Sequence, residues 1–175
     1  MRDLVHRLMD APDYFQFFGL EPRFNLDPAD LENRFHRLSR QLHPDRFAQA
    51  APAEREQSLA ASANLNDAYR TLRDPIARAE YFLKLQGFEQ TKEVPAELLE
   101  EVFELNLALQ EHGAGEAARE RVRSLEREAD ATLAGLFSAY DASASPATLG
   151  QIRAALNRRK YISNLIRQVE SELAS

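Results

Sequence analysis

Leu31, Phe35, Leu38 and Leu42 recur at intervals of four, three and four residues, which stacks them on one side of an α-helix and on both sides of a strand. The same rhythm returns along most of the chain. No alternating apolar run bounded by turns interrupts it, and no Asn-Gly or Asp-Gly hairpin signal appears. A chain built this way is confined to an all-α fold.

Punctuation then sets the helices. The segment 13–20, DYFQFFGL, is rich in rings and closes on Gly19, as a short anchored helix or turn would. A helix is expected over 28–42, with Asp27 capping its first turn and Pro28 in its first position. Pro44 disfavours helical geometry at His43, so this helix should stop there. A second long helix is expected over 53–73, with Leu59, Ala63, Leu65, Ala68, Tyr69 and Leu72 facing the core, ended by Asp74-Pro75. A short one over 76–86 stops at Gly87.

The polar stretch 87–94 reads as a linker. Beyond it, helices are expected over 95–112, 116–141 and 146–173, with Ser145-Pro146 as a good helix start. The middle one carries Ala118, Val122, Leu125, Ala129, Thr132, Leu136 and Tyr140 near heptad spacing, and the last carries Ile152, Leu156, Ile162, Ile166, Val169 and Leu173 on its core side. Short breaks between long amphipathic helices imply antiparallel neighbours, here a three-helix bundle. The expected organisation is an N-terminal extension (1–12), a helical domain (13–86), the linker and a C-terminal bundle (95–175).

Composition narrows the chemistry. The 175 residues include no cysteine, which removes disulfides, thiolate nucleophiles and cysteine-held zinc or iron–sulfur clusters. His6, His36, His43 and His112 are far apart without ligand-like spacing, so neither metal nor cofactor is expected. A net charge of -6 argues against broad nucleic-acid binding. No apolar run approaches the roughly 20 residues needed to span a bilayer, and MRDLVHRLMDAP lacks the apolar core of a secretory signal. A cytoplasmic protein, with no membrane and no nucleic acid among its partners, is the expectation.

Between the first two long helices stands His43-Pro44-Asp45, followed by Arg46. The plain reading is a polar turn, and the tripeptide should arise by chance in about one chain of this length in a hundred. Its setting is more specific. An amphipathic helix carrying Arg34, Arg37 and Arg40 precedes it, and a second helix follows within ten residues, ending in NDAYRTLRDPIARAEY. Together with DYFQFFGL these segments resemble a J-domain, an antiparallel helical hairpin with the tripeptide at its tip, which activates ATPase chaperones of the DnaK/HscA class. Across the whole chain, YFQFFGLEPRFNLD, LHPDRF, TLRDPIARAEYFLKLQGF and RKYISNL resemble the HscB family of co-chaperones in iron–sulfur cluster assembly. The Gly/Phe-rich linker and CxxC repeats of generic J-proteins are absent, as are the cysteine pairs of eukaryotic members.

The resemblance implies that His43, Pro44 and Asp45, flanked by Arg34, Arg37, Arg40 and Arg46, engage the chaperone, and that the ATP-cleaving site is the partner's. Nothing resembling a phosphate-cradling loop is present, and no enzymatic activity is expected. In the segment 95–112, Leu98, Val102, Leu105 and Leu109 form one stripe, and Leu99, Phe103 and Leu107 a second, turned about 130° from it. The second stripe is a candidate exposed patch beside Glu104, the other reading being a wide core face. Tyr161 is expected roughly opposite the core side of the last helix. By resemblance an IscU-class scaffold protein docks on Leu99, Phe103, Glu104 and Tyr161, with Leu107 standing where relatives more often place an acidic residue.

Three rivals remain. A J-protein serving a different client would share the tripeptide but not the scaffold. A hydrolase using His43 and Asp45 would need a nucleophile that is not nearby in sequence. A purely structural helical protein would tolerate changes at both residues.

Overall fold

In the computed structural model the described residues are 10–11, 13–47, 49–89, 99–100, 103 and 116–173. Every regular element among them is helical: α1 (Tyr14–Phe18), α2 (Pro28–Leu42), a 3₁₀ turn (Pro44–Phe47), α3 (Pro52–Arg73), α4 (Pro75–Leu85), α5 (Glu116–Ser143) and α6 (Pro146–Leu173). None is long and apolar enough to cross a membrane. The chain divides into two compact units between Phe82 and Leu83. Residues 1–9 and 12 of the extension and residues 90–94 of the linker lie outside the described set.

In the first unit the helix ends follow the local chemistry. Asp27 Oδ1 accepts the Ala29 N–H at 2.9 Å, and Pro28 begins α2 where its missing N–H is harmless. Asp74 ends α3 and also caps α4, its Oδ1 accepting the Ala77 N–H at 2.7 Å. Gly19 terminates α1 in the left-handed region, φ 67°, which only glycine adopts without strain, and its N–H donates to Gln16 O.

Rings fill the core of this unit. Phe15, Phe24 and Phe82 are buried, with Phe82 edge-on to Phe15 and Phe24 at centroid distances of 5.8 and 4.7 Å. Tyr14 stacks on Tyr81 at 4.6 Å, and the Tyr14 N–H donates to the Tyr81 phenol oxygen at 2.9 Å. Burial pushes the Tyr81 phenol above its ordinary range, outweighing that bond. Arg78 is buried but not wasted: Nε donates to Phe24 O at 2.7 Å and Nη1 to Leu72 O at 2.6 Å.

The inner face of α3 differs from the sequence expectation. Ser58, Ala61, Leu65, Ala68 and Leu72 are buried, at spacings of three, four, three and four. Leu59 is 57% exposed and Ala63 also faces out. The bulk of Leu59 suggested a core position, but close approach to α2 favours the small Ser58 and Ala61 on that side.

In the second unit α5 and α6 pack against each other, with Val122, Leu125, Ala129, Leu133 and Phe137 buried on α5. The expected seam through Thr132, Leu136 and Tyr140 drifts off this line. Thr132 is exposed and the other two are half-buried. A helix that advances 3.6 residues per turn departs by about 20° per heptad from a strict 3.5-residue pattern, so the seam passes to Leu133 and Phe137. On α6 the expected Ile152, Leu156 and Ile162 are buried and Ile166 partly so. Among the expected core positions of the segment 95–112, Leu98, Val102, Leu105 and Leu109 lie outside the described residues, as do the side chains of Val169 and Leu173.

Candidate functional site

At the tip of the α2–α3 hairpin the chain leaves α2 through His43, whose φ of -58° and ψ of 131° are the extended geometry that a following proline favours. The tripeptide then closes as a 3₁₀ turn, the Arg46 N–H donating to His43 O at 3.0 Å. Phe47 is buried and anchors the far side of the turn. The side chains of His43 and Asp45 are 58% and 88% exposed. His43 Nδ1 accepts the Asp45 N–H at 3.3 Å and lies 3.4 Å from Asp45 Oδ2. A neutral ring that accepts at Nδ1 carries its hydrogen on Nε2, on the other side of the ring from that bond. The imidazole and carboxylate thus stand side by side as a solvent-facing probe. Among the described residues no group of three or more His, Asp or Glu side chains stands where it could hold a metal.

The four arginines separate. Arg37, Arg40 and Arg46 are exposed, and Arg46 Nη1 reaches back to Arg40 O at 3.5 Å. Arg34 differs from these three in having partners on α1 and within α2. Its Nε donates to Asp30 at 2.9 Å, and its Nη1 donates to Phe18 O at 3.1 Å and Gly19 O at 2.8 Å. This guanidinium closes the C-terminus of α1 with its five-donor fork. Periodicity placed Arg34 beside Arg37 without showing that α1 would end against it.

Beneath the tripeptide, two residues that the sequence reading passed over converge on one atom. Ser58 Oγ and Ser62 Oγ donate to Leu42 O at 3.0 and 3.1 Å. The available signal was indirect: a proline after a helix removes a donor, and serines four apart lie on one helix face.

Of the second set of candidate residues, Leu99 and Phe103 are helical and 54% and 67% exposed. They are large apolar side chains turned to solvent one helical turn apart. Glu104 and Leu107 lie outside the described residues. Tyr161 is not opposite the core. It packs, partly buried, against the cluster of Leu125, Ala129 and Ile162. The reason is visible along α6: Leu149, Arg153 and Asn157, at four-residue steps before Tyr161, are buried, so this flank of the helix also turns inward.

Comparisons with known proteins agree on one relationship. Residues 13–81 match the DnaJ domain. A co-chaperone protein HscB homolog from Cupriavidus taiwanensis is 38% identical over 152 residues, which span 80% of this chain and 85% of that protein. A homolog of the same name from Vibrio cholerae is 46% identical over 81 residues, 46% of this chain and 47% of the other. Among solved structures, chaperone HscB from Vibrio cholerae superposes with a TM-score of 0.68 at 32% identity, covering 91% of this chain and 96% of its own. Human co-chaperone protein HscB superposes with a TM-score of 0.74 at 29% identity, covering 93% and 83%.

Proposed function

The chain belongs to the HscB family of co-chaperones, and from that premise we propose that it brings an IscU-type iron–sulfur scaffold protein to a DnaK/HscA-class chaperone and stimulates that chaperone's ATPase through the His43-Pro44-Asp45 loop. It cleaves nothing itself and acts in the cytoplasm. The observation that carries this reading is the exposed, adjacent His43 and Asp45 at the hairpin tip, with Arg37, Arg40 and Arg46 also exposed.

Each residue type suits the task. The basic side chains steer the hairpin toward an acidic surface, raising the encounter rate more than the final affinity. Asp45 offers a carboxylate to a partner arginine, a charge-assisted bond about twice as strong as a neutral one. His43 supplies a ring N–H on its outer side. Stimulation is a shift in the chaperone's conformational equilibrium, so the loop must bind the hydrolysis-competent state better than the resting state. Arg34 contributes indirectly by holding α1 against α2. Leu99 and Phe103 provide an apolar anchor for the scaffold, as exposed apolar residues rimmed by polar ones often do.

Single-turnover ATP hydrolysis by the cognate chaperone tests both halves. Wild-type protein should accelerate it, and His43→Gln, on an exposed side chain, should abolish the acceleration while leaving the circular dichroism spectrum unchanged. Adding scaffold should amplify the effect, and Leu99→Ala with Phe103→Ala should remove only the amplification. Acceleration that ignores the scaffold would point to a co-chaperone for another client. No acceleration with an active chaperone would refute the reading.

A further inference from the structure

The last turn of α2 has a hydrogen-bonding problem that its own tripeptide creates. In a continuing helix the amides of residues 44, 45 and 46 would serve the carbonyls of Arg40, Gln41 and Leu42. Pro44 has no N–H. The Asp45 N–H is turned to His43 Nδ1, and the Arg46 N–H closes the 3₁₀ turn on His43 O. Leu42 O therefore depends on donors from elsewhere, and it sits against α3, where Leu42 itself is fully buried.

Ser58 and Ser62 supply those donors, at 3.0 and 3.1 Å. Ser58 is 1% exposed and takes an inner position that an alanine or leucine would normally hold. A serine inside a helix is a mediocre helix former, and its hydroxyl ordinarily bonds back to its own i−4 carbonyl. Thr132, Ser138 and Ser143 of α5 do so. Ser58 and Ser62 reach across the hairpin instead, both to the carbonyl of the residue that precedes His43.

We propose that Ser58 and Ser62 are positioning residues: a two-hydroxyl clamp on Leu42 O that holds the His43-Pro44-Asp45 loop in the orientation in which it engages the chaperone. This rests on the proposed function and deepens it. With the clamp, the exit of α2 is tied to α3 and the loop is presented in one arrangement. Without it, the carbonyl must turn toward water, and the loop leaves that arrangement most of the time. A binding group competent only a fraction of the time shows an affinity reduced by that fraction.

The test separates the amount of protein needed from the effect it produces. In single-turnover hydrolysis, Ser58→Ala/Ser62→Ala should raise the concentration for half-maximal stimulation by about tenfold, with maximal stimulation retained. His43→Gln should lose the maximum itself. Ser58→Ala/Ser62→Thr, which restores one hydroxyl, should recover most of the shift. Ser62→Ala alone, at a half-buried site where folding is secure, should raise the half-maximal concentration by about threefold. A folded double variant with a wild-type half-maximal concentration overturns the proposal, as does a threonine variant that rescues nothing. Amide hydrogen exchange needs no chaperone: the Arg46 N–H should exchange about tenfold faster in the double variant. Unchanged exchange there overturns the clamp even if the protein stimulates no ATPase, and a wild type that fails to stimulate refutes the proposed function alone.

Discussion

In the first unit, the backbone carbonyls of Phe18, Gly19, Phe24, Leu42 and Leu72 each receive a hydrogen bond from a side chain of another element, Arg34, Arg78, Ser58 or Ser62. In the second unit, α5 and α6 meet along a mainly apolar seam that also takes in Arg153 and Asn157, and charged side chains pair outside it, Arg127 with Glu120 at the surface and the partly covered Arg159 with Asp130. The bond there from Arg153 to Phe88 O, at 3.3 Å, is longer than any of those in the first unit. The contrast fits what each part presents. A mainly apolar seam is tolerant of small rotations, because dispersion and burial are not directional. Hydrogen bonds to named carbonyls are directional, and they hold a loop of three residues at a set angle. Short helices with many ends also expose more orphan carbonyls than two helices of 28 residues each.

The contrast can be broken or sharpened by substitution. The largest effect is expected from Arg78→Met in the first unit. It keeps an apolar stem but removes the guanidinium and strands two buried carbonyls, and should cost about 3 kcal/mol at roughly 1–3 kcal/mol for each unsatisfied group. Amide exchange of the buried α2 and α3 segments should show it. A loss below about 1 kcal/mol would mean that the first unit too is held mainly by its apolar core. Gly135→Ala in the second unit should stabilise α5 by about 0.8 kcal/mol, since this helical glycine would place its new methyl in open space. Urea unfolding should register the gain, and a loss would show that α5 is constrained there by more than propensity. The smallest effect is expected from Arg159→Met, which breaks a partly exposed pair with Asp130 and should cost only about 0.5 kcal/mol. A cost near that of Arg78→Met would erase the distinction between the units.

Much of this was legible in the residues. Caps and breaks are local: Asp27-Pro28, Asp74-Pro75, Ser145-Pro146, Gly19 and Gly87 act on amides and φ angles within a few positions of themselves, so the helix ends came out close to expectation. The tripeptide was legible because its three residue types and its place between two helices occur together. Other readings failed where the answer lay across a helix pair. Leu59 looked like core and is exposed, Tyr161 looked exposed and is half-buried, and the bond by which Arg34 closes α1 was not foreseen. Periodicity gives the angle of a side chain about its own axis. It does not say how wide a face the neighbour covers, nor which carbonyl waits opposite.

The amino-acid sequence by itself determined the all-helical class, the helix boundaries and the position of His43-Pro44-Asp45, because these depend on interactions between residues a turn or less apart. Only the tertiary structure decided that Ser58 and Ser62 meet at Leu42 O and that Arg34 and Arg78 serve carbonyls of other elements. Apart from the Arg78 bond to Leu72 O, six positions back, those bonds join residues 15 to 54 positions apart. A hydrogen bond forms only when donor and acceptor come within about 3 Å in the right direction. That coincidence is set by how the helices pack, and no window of sequence short enough to read locally contains both partners.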